Sequence, residues 1–155
     1  MLVTLAGRDI LQGLSLSHRI EPSDYTHLIC ACLLHDIGYV RGVLSGDTET
    51  EFVVDRESRK VSIPRGASDA ALRPYHVERS KMFAIERLGK SPLVDANRIA
   101  VAIEMTRFPA SVDKTLETVG LEPKLAQAAD LIGQLVTPCI LGKPTRSFTS
   151  SKRSV

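Results

Sequence analysis

Apolar residues recur at helical spacing through most of the chain, and the breaks in that rhythm divide it into segments. Leu2, Leu5, Ile10 and Leu11 outline a first helical piece over residues 2–11, closed by Gly13. After the polar stretch "LSLSHRIEPSD", Pro22, Ser23 and Asp24 open a second helix that runs to about Asp36. Its apolar stripe is Leu28, Ile29, Cys32 and Leu33. Between residues 43 and 68 the rhythm fails. There "EFVVD" and "KVSIP" flank the polar "RESR", which predicts a short β-hairpin or strand-like insertion that forms a lid or rim rather than core. Helical spacing returns at Ser68-Asp69 and holds to Gly89, with Pro74 set to kink or split the segment. "SPLVDANRIAVAIEMTRF" predicts a further helix capped by Ser91, with Pro92 at its first position and Pro109 ending it. "EPKLAQAADLIGQL" is the last helical segment, and past Leu135 the text turns to Ser, Thr, Lys and Arg. The predicted fold is all-α, a helical bundle with a short β-hairpin or irregular insertion around residues 43–68. One domain over 1–141 is expected, followed by a disordered basic tail over 142–155.

Composition agrees with this picture and narrows the class. A chain of 155 residues, 43% hydrophobic and 25% charged, can bury one sizeable core. It has no apolar run of 18 residues, so no membrane partner is expected. The start "MLVTLAGRDILQG" lacks the basic-then-apolar order of a signal peptide, which leaves the cytoplasm as the expected compartment. The cysteines are Cys30, Cys32 and Cys139, an odd number that argues against a disulfide framework. Cys30 and Cys32 do not share a helix face, which argues against a zinc pair. The net charge of +2 misleads as an average. Lys143, Arg146, Lys152 and Arg153 lie beyond Gly142 with no acid among them, and +2 less these four leaves −2 for the body. With few aromatics and no Trp, no DNA or RNA surface is indicated.

The chemistry concentrates in a few positions. "CACLLHDIGYVRG" ends an apolar helix on His35 and Asp36, with Gly38 just after. His35 lies seven residues beyond Leu28 and so falls on the inward stripe. Two adjacent ligands at a helix end can turn toward one cation, and mixed imidazole and carboxylate donors suit Mg²⁺, Mn²⁺, Fe²⁺ or Zn²⁺. The plain alternative is a hydrogen-bonded pair that finishes the helix. Asp130, in "AQAADLIGQL", has the small residues Ala126, Ala129 and Gly133 at helical spacing. An ionised carboxylate on such a face is costly unless it is paired, hydrogen-bonded to a neighbouring helix or bound to a metal. His76 lies in "PYHVERSK", just after Pro74.

The order His35-Asp36, then His76, then Asp130 on successive helices resembles the HD superfamily of metal-dependent phosphohydrolases, which includes the cyclic-nucleotide phosphodiesterases. "LHDIG" after an apolar helix is the specific part, and the later "AAD" reinforces it. The resemblance covers roughly residues 2–135. It implies an HD-domain-like bundle that hydrolyses a phosphoester or phosphodiester with a metal-activated water. The implied substrate is a small phosphorylated molecule of nucleotide type, and the implied cofactor is one or two divalent ions, Mn²⁺, Mg²⁺, Fe²⁺ or Zn²⁺. By the same resemblance His35, Asp36 and Asp130 are metal ligands, with Asp36 central and catalytic. His76 is the further catalytic histidine, holding a second metal or a substrate phosphate oxygen. Arg41, Arg79, Lys81 and Arg107 lie near the motif helices and are candidates for phosphate contact. A solvated surface charge is the alternative for each.

The family's first-helix histidine has no counterpart here. His35 lies about 13 residues into its helix, roughly 20 Å along the axis, so an antiparallel first helix reaches that level near or before Met1. His18, in the connecting loop, and His27, two turns before His35, are not expected to reach the site. The expectation is a chain shortened at its N-terminus. The alternative function is a catalytically impaired HD-like module that binds metal or nucleotide without the missing ligand, and a purely structural helical domain is the third.

Overall fold

The computed structural model describes residues 2–107 and 121–140, with the side chains of the last helix described through 136. Among these residues five α-helices carry the fold: α1 (Leu2–Leu14), α2 (Pro22–Leu34), α3 (His76–Leu88), α4 (Ala96–Glu104) and α5 (Leu121–Ile140). One antiparallel hairpin, β1 (Glu51–Val53) with β2 (Lys60–Ser62), interrupts them between α2 and α3. The chain is therefore all-α with a small insertion, as its pattern predicts. The tail over 142–155 and the helix stop at Pro109 lie outside the described residues.

Helix α2 is central and packs against α1, α4 and α5. Its inward face is His27, Leu28, Ala31 and Cys32. Leu33, predicted on that stripe, is 60% exposed, because five helical steps from Leu28 turn it about 140° away. Leu11, Leu28, Ile99, Ile103 and the small Ala126 and Ala129 fill the shared core. Small residues let α5 and α1 approach closely, and a Cβ at Gly133 would overlap the side chain of Val3.

Several boundaries differ from the sequence reading. Helix α1 continues through Gly13 to Leu14, so that glycine does not close it. The segment after Ser68 is split just past Pro74 into a 3₁₀ stretch Asp69–Tyr75, which contains the proline, and then α3. Helix α4 starts at Ala96 rather than Pro92. Asp95 caps it, its Oδ1 accepting from Asn97 N–H (2.8 Å) and Arg98 N–H (3.3 Å), while Ser91 closes only a local turn onto Leu93 N–H. Helix α5 runs on past Leu135 to Ile140.

The insertion is better packed than a rim. Phe52, Ile63 and Leu72 form a second small core, and Phe52 is only 1% exposed. Within the described residues, no helix is long and apolar enough to cross a membrane.

Candidate functional site

Helix α2 delivers its apolar face to the core and then stops. Leu34 is its last residue and His35 caps it with helical backbone angles, Asp36 leaves the helix (φ −105°, ψ 1°), and Ile37–Tyr39 form one 3₁₀ turn. A helix end leaves carbonyls and N–H groups unpaired, and α3 supplies the partners. Ser80 Oγ donates to the His35 carbonyl (2.7 Å) and accepts from Gly38 N–H (2.9 Å). Arg79 Nε donates to the Gly38 carbonyl (2.8 Å). Gly38 is required here by space, since a Cβ would collide with the His76 carbonyl. The bare backbone at Gly38 thus seats the turn on the first residue of α3, bringing His35, Asp36 and His76 to one place.

His35 is 7% exposed and so is Asp130, which α5 brings in from the other side. His35 Nδ1 lies 2.9 Å from the Cys32 carbonyl, which can only accept, so Nδ1 carries a proton. His35 Nε2 then faces two carboxylates, Asp36 Oδ2 at 3.2 Å and Asp130 Oδ1 at 3.5 Å. Neither is aligned for a hydrogen bond, and among the described residues Nε2 is a buried nitrogen without a hydrogen-bond partner. Gln134 Nε2 donates to the other oxygen of Asp130 (2.9 Å) and fixes that carboxylate.

His76 repeats the arrangement of His35. Its Nδ1 lies 2.7 Å from the Arg73 carbonyl, and its Nε2 lies 3.9 Å from Asp36 Oδ1. Tyr39 stacks on its ring at 4.4 Å between centroids. Asp36, with a side chain 59% exposed, thus stands between two imidazoles, one oxygen toward each.

The electrostatics follow from this placement. Burial by itself would lower the His35 pKa, but the carboxylates of Asp130 and Asp36 override it and raise it to about 10. Asp36 is the reciprocal case. Burial pushes its pKa up, and His35 and His76 hold it below the ordinary carboxylate value. With no metal bound, the cluster is an imidazolium clasped by two carboxylates. A metal ion must displace that proton, because only the deprotonated Nε2 can be a ligand.

The structure brings together His35, Asp36, Asp130 and His76, the four residues singled out as ligands. Among the described residues no group of three or more His, Cys, Asp or Glu side chains is placed to hold a metal ion. Imidazoles and carboxylates are donor types that divalent cations take, and among the described residues His35 Nε2 is a buried nitrogen lacking a hydrogen bond. His27 is elsewhere, with Nδ1 on the Ser23 carbonyl and Nε2 accepting from Asp95 N–H (2.8 Å), where it ties α2 to α4. His18 is exposed beside Ser17.

The four cations proposed for phosphate contact are placed differently. Arg79 is neither a phosphate contact nor a solvated charge. It is fully buried, and it binds the carbonyls of Gly38, Val40 and Val53 and both oxygens of Asp47. Arg41 turns to the insertion, onto Asp69 (2.9 Å) and the carbonyls of Pro64 and Ala67. Lys81 sits between Glu78 (2.7 Å) and Glu104 (2.8 Å), and Arg107 grips Glu104 through Nε and Nη2. Burial would raise the Glu104 pKa, but Arg107 and Lys81 hold it down. Sequence reasoning passed over Ser80, Tyr39, Gln134 and Arg73. Gln134 could have been found, because it lies one helical turn after Asp130. The others depend on contacts between elements.

Fold and site together define a helical domain with two histidines and two carboxylates gathered at the end of its central helix. The chain matches the model of the family described as Npun_R2479-like over residues 1–150, and it belongs to that family. No curated protein and no solved structure matches it.

Proposed function

We propose that this protein is a metal-dependent phosphohydrolase of the HD type, acting on a phosphoester or phosphodiester of a small, nucleotide-like substrate. The observation that carries the reading is the matched pose of two histidines. His35 and His76 each commit Nδ1 to a main-chain carbonyl and each turn Nε2 toward the same Asp36 carboxylate. Metal-ligating histidines characteristically hold their second nitrogen in this way, which fixes tautomer and ring orientation.

His35, Asp36 and Asp130 would hold the ion, and Gln134 keeps Asp130 oriented. When bound, a divalent ion supplies a lower pKa for water and charge compensation on phosphoryl oxygens. His76, steadied by Tyr39 and open on one side, is placed to hold a second ion or orient a phosphoryl oxygen. Burial of His35 and Asp130 keeps bulk water from that side of the reacting group.

A second reading is a binding module of the same type without turnover. It is favoured by one observation: Arg41, Lys81 and Arg107 are already paired with acids, and Arg79 is buried. Metal content of the purified protein, with turnover of bis(4-nitrophenyl) phosphate in Mn²⁺, separates the two. Metal and turnover that both disappear in His35→Ala support the enzyme, and metal without turnover supports the module. Absence of metal, with no thermal stabilisation by Mn²⁺, contradicts both.

A further inference from the structure

We propose that the cleft in front of His76 is a phosphate-binding site whose anchoring residue is Arg73; this rests on the phosphohydrolase reading for its place in a reaction. The cleft is about 270 Å³ and is lined, among the described residues, by Arg73, Pro74, His76, Val77 and Arg107, none of them a carboxylate. Of its two guanidiniums, that of Arg107 is offset by Glu104 and Glu78. Arg73 is exposed and has no ion pair among the described residues. It supplies the cleft's positive charge.

Arg73 is also tied to the metal-ligand cluster. Its main-chain carbonyl receives the Nδ1–H of His76, so one residue orients the imidazole and lines the same cleft. Pro74 between the two restricts the backbone that joins them. His76 Nε2 lies 3.9 Å from Asp36 Oδ1. An oxyanion gripped by the planar fork of Arg73 would therefore lie next to the two-histidine cluster, and guanidinium–phosphate pairs favour this kind of bidentate grip.

Size and charge together select a compact ligand. The cleft is smaller than the 300–1,000 Å³ common for whole small-molecule sites, so it suits a phosphate group rather than an entire nucleotide. The adjoining groove shares Pro74 and Arg107 but mixes Arg56 and Arg59 with Asp55, Glu57 and Glu78. Those acids offer no continuous track for a polyanion. The chemical class is a small phosphate ester whose phosphate enters beside His76, not a nucleic acid.

The test is titration of the metal-free protein with inorganic phosphate, followed by NMR shifts of the His76 ring, in wild type, Arg73→Ala and Arg73→Lys. Mn²⁺ affinity of each protein is measured separately by calorimetry. The expected result is phosphate binding in the wild type, weakened tenfold or more in Arg73→Ala and less in Arg73→Lys, with Mn²⁺ affinity unchanged throughout. Equal phosphate affinity in wild type and Arg73→Ala, or no phosphate binding in the wild type, overturns the proposal. Arg73-dependent phosphate binding in a protein that takes up no Mn²⁺ would leave the cleft standing and sink the phosphohydrolase reading instead.

Discussion

Two buried charge clusters lie on either side of the Gly38 turn, and they are built to opposite rules. On one side the side chains of Arg79 and Asp47 are both fully buried, and every contact is complete: carboxylate, three carbonyls, and the N–H of Val53 on Asp47 Oδ1 (2.9 Å). Burial would raise the Asp47 pKa, but Arg79 and the Val53 N–H hold it below its usual value. On the other side His35 is clasped by Asp36 and Asp130 without one aligned hydrogen bond to its Nε2. A charge cluster that only stabilises a fold satisfies its members, as the first does. The second leaves a buried nitrogen unsatisfied and one carboxylate facing solvent. The proposed metal site rests on that difference.

Substitutions can break this contrast. Arg79→Ala strands Asp47 and three carbonyls in the interior, and a loss of about 3–5 kcal/mol is expected in urea unfolding. A loss below about 1 kcal/mol would mean the strut is dispensable and the comparison false. The pH dependence should separate the clusters next. His35 has a folded pKa raised from 6.5 to about 10, so its contribution is complete below pH 6.5 and lost as pH rises toward 10. The metal-free protein should lose up to about 1.4 kcal/mol per pH unit across that window, the value for one proton, and His35→Gln should abolish the slope. A wild-type profile that stays flat there would mean His35 is not held as an imidazolium.

Gly38→Ala tests the hinge between the clusters. Its Cβ would meet the His76 carbonyl, so the turn must shift, at about 1–3 kcal/mol and with loss of Mn²⁺ stabilisation. Retained Mn²⁺ stabilisation would show that the seating of the turn does not govern the site. The smallest effect is expected for Lys81→Met. The Lys81 ion pairs with Glu78 and Glu104 are partly solvated, so its removal should cost no more than about 1 kcal/mol and leave Mn²⁺ binding intact.

What the sequence disclosed, and what it did not, divides along the same line. Periodicity showed the helices and the place of the hairpin, because those depend on neighbours within one segment. It also put His35 on the inward face, seven residues from Leu28. It misplaced Leu33, the α4 start and the role of Gly13, where local signals compete. Arg79 was the largest miss. An arginine in a polar helical stretch reads as surface, and only the packing of 37–40 and 47–53 onto α3 buries it. Arg73 was overlooked for a similar reason, because it is the fold of the 3₁₀ stretch around Pro74 that sets its carbonyl on His76.

Mn²⁺ titration by calorimetry at pH 8, on the wild type, His35→Ala and Asp130→Ala, addresses the central claim most directly. A functional metal site at the end of α2 predicts saturable uptake by the wild type with proton release, since the ion must displace the His35 proton. It predicts at least a tenfold loss of affinity in each variant. Wild-type protein that takes up no Mn²⁺, or affinity unchanged in both variants, would show that the His35 cluster is not where a metal binds.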